Sequence, residues 1–190
     1  MSIWTSSLDS FSDAIAADTP VPSCGAMACV CAHFSLALLL MALRKSAGCD
    51  LEQERQTTIS EIEHLLPVIK AHADNDVRTF SAFIDESQAT DQGHSEQRTL
   101  EITLGALAAA RSCLQGIDLA QRGLACVKAF LQSDAVAAAL TLHASLSALL
   151  LNMDSDLDQL EPSERKIDLE RSRAELQHRA DQALGRIRRH

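Results

Sequence analysis

Residues 26–43 form a long apolar run interrupted only by His33 and Ser35, and Thr19-Pro20-Val21-Pro22-Ser23-Cys24-Gly25 leads into it. Proline fixes φ and supplies no backbone donor, so this approach is stiff and non-helical. The run behind it has the length and apolarity of a helix buried on most sides, and a chain containing one must wrap it with others. The first turn of such a helix leaves N–H groups without partners. Aimed at a cavity, they make a small electropositive cup. Pro22, Ser23, Cys24 and Gly25 are therefore the first candidates for holding a polar small molecule.

The rest of the chain has the periodicity of helices. A short helix is expected over 10–18, where Phe11, Ala14 and Ile15 share a face, and the buried helix over 25–45. Gly48 and Asp50 mark a turn. A long third helix starts near Leu51 and carries Ile59, Ile62, Leu65, Leu66, Ile69, Val77, Phe80, Phe83 and Ile84, with a kink expected at Pro67. A polar loop follows over 89–95. A fourth helix is expected over 96–116, a fifth over 117–131, and a sixth from Ser133-Asp134 to Asn152. Pro162 and Ser163 break the chain before a charged amphipathic helix. No stretch alternates as a strand does. Aromatic residues are only 3% of the chain, so alanine and leucine fill the core and helices can approach closely. The expectation is an all-α, single-domain antiparallel helical bundle with long buried central helices. It covers 1–162, and the helix in 163–190 packs on the same domain or on a partner subunit.

A net charge of −9 disfavours nucleic acid as a partner, because phosphate contacts need Lys and Arg. The length of 26–43 matches a membrane span, but its polar interruptions favour a buried helix and no membrane. The six cysteines lack CxxC or zinc-ligand spacing. They read as reduced, core-packing thiols, which fits a cytoplasmic protein with no metal.

Several segments carry a resemblance in their order. Phe11-Ser12-Asp13-Ala14-Ile15-Ala16 is followed by Thr19-Pro20-Val21-Pro22-Ser23-Cys24-Gly25-Ala26-Met27-Ala28, then by Met41 and Arg44-Lys45. Asp74-Asn75-Asp76-Val77-Arg78-Thr79-Phe80 comes next, then Arg98, Ser133-Asp134-Ala135 and Asn152. Over roughly 8–160 the chain resembles the cyclodeaminase/cyclohydrolase family, which includes methenyltetrahydrofolate cyclohydrolases. It departs from that pattern at three places. One glycine remains in Ser23-Cys24-Gly25 where the family has a run of them. Lys128-Ala129-Phe130-Leu131-Gln132 replaces a glycine-containing segment. A second Asn is replaced around 154–156.

The resemblance implies an enzyme that opens or closes a C–N bond at a cyclic amidinium carbon, with a tetrahydrofolate derivative as substrate and no cofactor. It also implies a homodimer. Such chemistry needs a carboxylate near a cationic carbon and a group that moves a proton. Asp134 is the first candidate, at the start of an apolar helix; Ser133 or Asp134 also reads as a helix N-cap. Asp76 is the second, with His72 one turn back as a hydrogen-bonded acid/base partner or simply a surface neighbour. Lys45 can hold an anionic tail or complement a helix C-terminus. Pro22, Ser23, Cys24, Gly25, Ser133 and Asn152 are the expected substrate-binding residues. A cyclase acting on another imine or amidine, and a non-catalytic helical binding module, are the alternatives.

Overall fold

The computed structural model describes residues 2–89 and 96–189. Six helices follow in order: α1 (Leu8–Ala16), α2 (Cys24–Lys45), α3 (Glu52–Ala89), α4 (Glu96–Leu124), α5 (Gln132–Leu157) and α6 (Glu164–Ile187). Two short 3₁₀ turns, Ile3–Thr5 and Ala129–Leu131, complete the elements, and no strand occurs among the described residues. The all-α bundle is as expected. The loop expected over 89–95 falls outside the described residues, apart from Ala89, which ends α3.

The apolar run becomes α2, and its side chains Leu36, Leu39 and Leu43 are fully buried. It packs against α3 and α5, while α4 packs against α3 and α5. Both α2 and the segment 129–157 are long and apolar enough to cross a membrane. In the bundle they face each other and their neighbours, and their leucines form the core. α2 and α5 run antiparallel. Cys24 Sγ, at the start of α2, lies 3.8 Å from the Ala148 carbonyl in α5. At the other end, Ser46 Oγ accepts from Lys128 N–H at 3.0 Å.

Two expectations for the elements are corrected. The break placed at Gly116 does not occur; 96–124 is one helix. Gly116 serves close packing instead, since a Cβ there would lie 3.0 Å from Leu142 Cδ2 and 3.1 Å from Leu36 Cδ2. Pro67 lies inside α3, as expected. Neither Ser133 nor Asp134 is an N-cap. The 3₁₀ turn feeds directly into α5, Leu131 takes the cap position without a side-chain bond, and Asp134 lies in the first turn.

α6 packs on α4 and α5 of its own chain. Ser163 caps it by accepting from Lys166 N–H, and Leu169, Leu176, Ala180, Leu184 and Ile187 are buried beneath it. The N-terminus is tied to α3 by Asp74, which accepts from Ser2 Oγ at 2.7 Å and from Ile3 N–H at 2.9 Å. The first acid of the Asp-rich segment therefore anchors the chain terminus.

Candidate functional site

The corner before α2 turns through a cis Val21–Pro22 peptide, and Ser23, in extended conformation, precedes the first helical residue. Ser23 does not cap its own helix. Its hydroxyl instead lies 3.4 Å from Asp76 Oδ2, and the Ala26 backbone N–H also donates to the Asp76 carboxylate. The cup expected to be open to a guest thus holds a carboxylate from α3. Gly25 makes this possible: a Cβ at that position would come within 2.6 Å of Asp76 Cγ. The site is built from a glycine where another helix's acid must approach the backbone.

A second acid faces the first. Asp156, in the last turns of α5, is only 6% exposed, and its Oδ2 has no hydrogen-bond partner. Burial, reinforced by the charge of Asp76, raises its pKa to about 7. Burial also raises Asp76, while the bonds from Ala26 and Ser23 oppose that rise. The charge of Asp76 thus makes ionisation of Asp156 more costly. Neither acid is ion-paired with a described Lys or Arg. Arg173 of α6 bonds instead to Asp154, two residues before Asp156, with distances of 2.8 and 2.7 Å.

A small enclosed cavity of about 10 Å³ lies beside Asp76, lined among others by Cys29, His72, Asn75 and Thr79. An open groove of about 930 Å³ runs along the outside of α3, past Asp74, Arg78 and Asp85. His72 and Asn75 line both. Asp76 lines the small cavity, and His72 and Asn75 stand between it and the groove, which is large enough for a drug-sized ligand.

Of the residues expected to form the site, Ser23, Gly25 and Asp76 come together. Pro22 is in the adjoining turn and Cys24 opens α2 beside Ala148. Asn152 is half-buried on α5, one helical turn from Ala148 and one from Asp156. His72 reaches the inner cavity but does not bond Asp76. Its Nε2 is 3.0 Å from Ser112 Oγ, and burial lowers its pKa. The expected His72–Asp76 pair is corrected accordingly: the two side chains leave α3 toward different partners. Cys24 does not gain thiolate character from the helix start; burial, then the charge of Asp76, raises its pKa.

Asp134 and Ser133 do not join this corner within one chain. Fourteen residues of α5 separate Asp134 from Ala148, roughly 21 Å along the axis. Lys45 is likewise at the far end of α2, about 30 Å from Cys24. The expectation that Asp134 faces the proline corner fails because α2 and α5 are antiparallel, which brings the end of α5 to that corner. Asp156 is the buried acid at this corner that sequence reasoning missed.

Chemically, the arrangement offers one carboxyl bonded by two donors and a second, buried carboxyl whose pKa is raised to about 7. Together they can hold a cationic carbon and pass a proton across it.

The family model described as formiminotransferase-cyclodeaminase matches residues 7–175. A crystal structure of formiminotetrahydrofolate cyclodeaminase from Thermotoga maritima superimposes with a TM-score of 0.91, covering 98% of this chain and 96% of that one at 18% identity. At that identity the likeness shows a shared fold. No curated protein matches the sequence.

Proposed function

The chain belongs to the formiminotransferase-cyclodeaminase family, and from that membership we propose an enzyme that opens or closes a C–N bond at a carbon held between nitrogens, with a reduced folate as substrate. The observation that carries this reading is the Asp76–Asp156 pair: a half-buried acid and a buried one whose pKa its neighbour helps to raise, neither ion-paired with a described Lys or Arg. A positive amidinium or iminium carbon relieves the repulsion between them.

In ring opening, water adds to the methenyl carbon. Asp76 accepts the proton of that water, and the tetrahedral carbon loses one of its two nitrogens. Asp156 gives its proton to the departing nitrogen and takes up the hydroxyl proton as the carbonyl forms, leaving an N-formyl product. In ring closure, an amine attacks the formimino carbon. Asp76 takes the amine proton, Asp156 protonates the nitrogen that leaves as ammonia, and a cyclic methenyl cation forms. Each direction uses one base and one acid, and the carboxyl that burial raises to about 7 is suited to giving the proton. Asn152 and Ser23 position the substrate, and the groove along α3 accommodates its body. The reading includes a homodimer, supported by Phe34, Met27 and Val68, which are exposed on the packed helices α2 and α3. Light scattering should then give about twice the 20.6 kDa chain mass.

The test is to supply methenyltetrahydrofolate and follow loss of its absorbance, and to supply 5-formiminotetrahydrofolate and follow ammonia release. Acceleration over buffer in either assay is expected. No acceleration in both rejects the folate substrate.

One observation favours a second reading, in which the substrate is another imine or amidine. The cavity beside Asp76 is very small, and Ser23 puts a hydroxyl 3.4 Å from the Asp76 carboxyl, next to Cys24. If the double substitution S23G and C24G creates folate turnover absent from the wild type, this reading gains. Turnover of folate by the wild type removes it.

A further inference from the structure

At the end of the bundle remote from the acid pair, two cysteines far apart in sequence meet. Cys49 sits half-buried in the turn between α2 and α3. Cys126 follows α4 and is only 1% exposed. Cys126 Sγ lies 3.9 Å from the carbonyl of Leu51, two residues on from Cys49 in the same turn, and the neighbouring Cys49 thiol acts on that of Cys126. Their surroundings are rigid. Ser46 Oγ accepts from Lys128 N–H at 3.0 Å. Arg55, 3% exposed, donates to the Leu43 carbonyl at 2.8 Å. Its guanidinium charge acts on both sulfurs.

The other four cysteines have different settings. Cys29 and Cys113 are buried in the core, and burial pushes the Cys29 thiol up to about 12. Cys24 has the Ala148 carbonyl as its neighbour, and Cys31 lies 3.5 Å from Met27 Sδ. All six sulfurs are free thiols.

We propose that Cys49 and Cys126 are a redox modification site that closes to a disulfide by exchange with a small-molecule disulfide of the glutathione type. The half-exposed Cys49 loses its proton and attacks one sulfur of the oxidant. A mixed disulfide forms and one glutathione thiolate leaves. Cys126 then loses its proton and attacks the Cys49 sulfur, the mixed disulfide breaks, and the second glutathione leaves. Two protein thiols are oxidised, one glutathione disulfide is reduced to two thiols, and the two protons end on the glutathiones. Exposure sets the order: burial makes the Cys126 thiol harder to ionise, the neighbouring Cys49 and Glu54 add to this, and Arg55 opposes it. Cys49 therefore reacts first and Cys126 resolves. The bond staples the turn after α2 to the turn after α4 and closes a loop of somewhat less than half the described chain.

The reduced full-length chain is incubated with glutathione disulfide, alkylated, and measured by intact and peptide mass spectrometry. The expected wild-type product is lighter by two hydrogens at one cysteine pair, with a peptide linking Cys49 to Cys126 and no retained glutathione. C126S should stop at one glutathione on Cys49, and C49S should form neither product. The oxidised wild type should melt about 5 °C or more above the reduced form, reversibly with dithiothreitol. A glutathione adduct that persists on wild-type Cys49, a crosslink between other cysteines, or no reaction at all would overturn the assignment.

Discussion

Asp156 spends its burial on a carboxyl that nothing neutralises, and this has a consequence for stability. Its folded pKa of about 7 lies above the ordinary carboxylate value, so the folded chain binds the proton more tightly than the unfolded one. Stability should therefore fall as pH rises from about 4 to about 7 and level off above that. Asp156→Asn removes the charge but keeps the shape. At pH 8 it should raise the unfolding free energy by about 1–3 kcal/mol, with little change at pH 4, as read by urea denaturation at both values. Gly25→Ala makes the opposite kind of change. Its Cβ enters the space of the Asp76 carboxylate, so the variant should lose about 1–3 kcal/mol of stability and most of its turnover. At this scale the sequence was half legible. The proline corner and Asp76 carried signals of composition and spacing. Asp156 did not, because Asp154, Asp156 and Asp158 look alike in a polar helix end. Only the fold gives Asp154 to Arg173 and leaves Asp156 buried.

Helices were legible where apolar spacing was strong, and their joints were less so. Gly116 was read as a stop because glycine weakens helices in isolation. In the bundle it sits between Leu142 and Leu36, where its missing side chain is what lets α4 lie against α2 and α5. Gly116→Val should cost about 1–3 kcal/mol through overpacking, measured by thermal or chemical unfolding, although valine forms helix better than glycine does. The start of α5 failed in the same way, since a 3₁₀ turn supplied the entry that Ser133 was expected to provide. Arg55 marks a joint that no pattern revealed. Its buried guanidinium bonds the Leu43 carbonyl and Glu52, fastening the end of α2 to the start of α3. Arg55→Ala leaves that carbonyl without its donor and should destabilise the chain by about 2–3 kcal/mol, more than an exposed pair such as Arg171–Asp168 can contribute.

Across the whole molecule, the antiparallel pairing of α2 with α5 decides which groups meet. It brings Asp156 to the proline corner and keeps Asp134 at the other end, beside the turns that hold Cys49 and Cys126. Composition was enough to anticipate an alanine- and leucine-packed helical bundle. It carried no information on which helix ends face each other, since every helix here is apolar along most of one side. The central claim is that Asp76 and Asp156 perform the proton transfers, and the most direct test is the ring-opening or ring-closing rate of D76N, D156N and D134N beside the wild type. Loss of about 100-fold or more in kcat is expected for both D76N and D156N, with D134N close to the wild type. A D134N variant that is inactive while D76N and D156N keep full rate would contradict it.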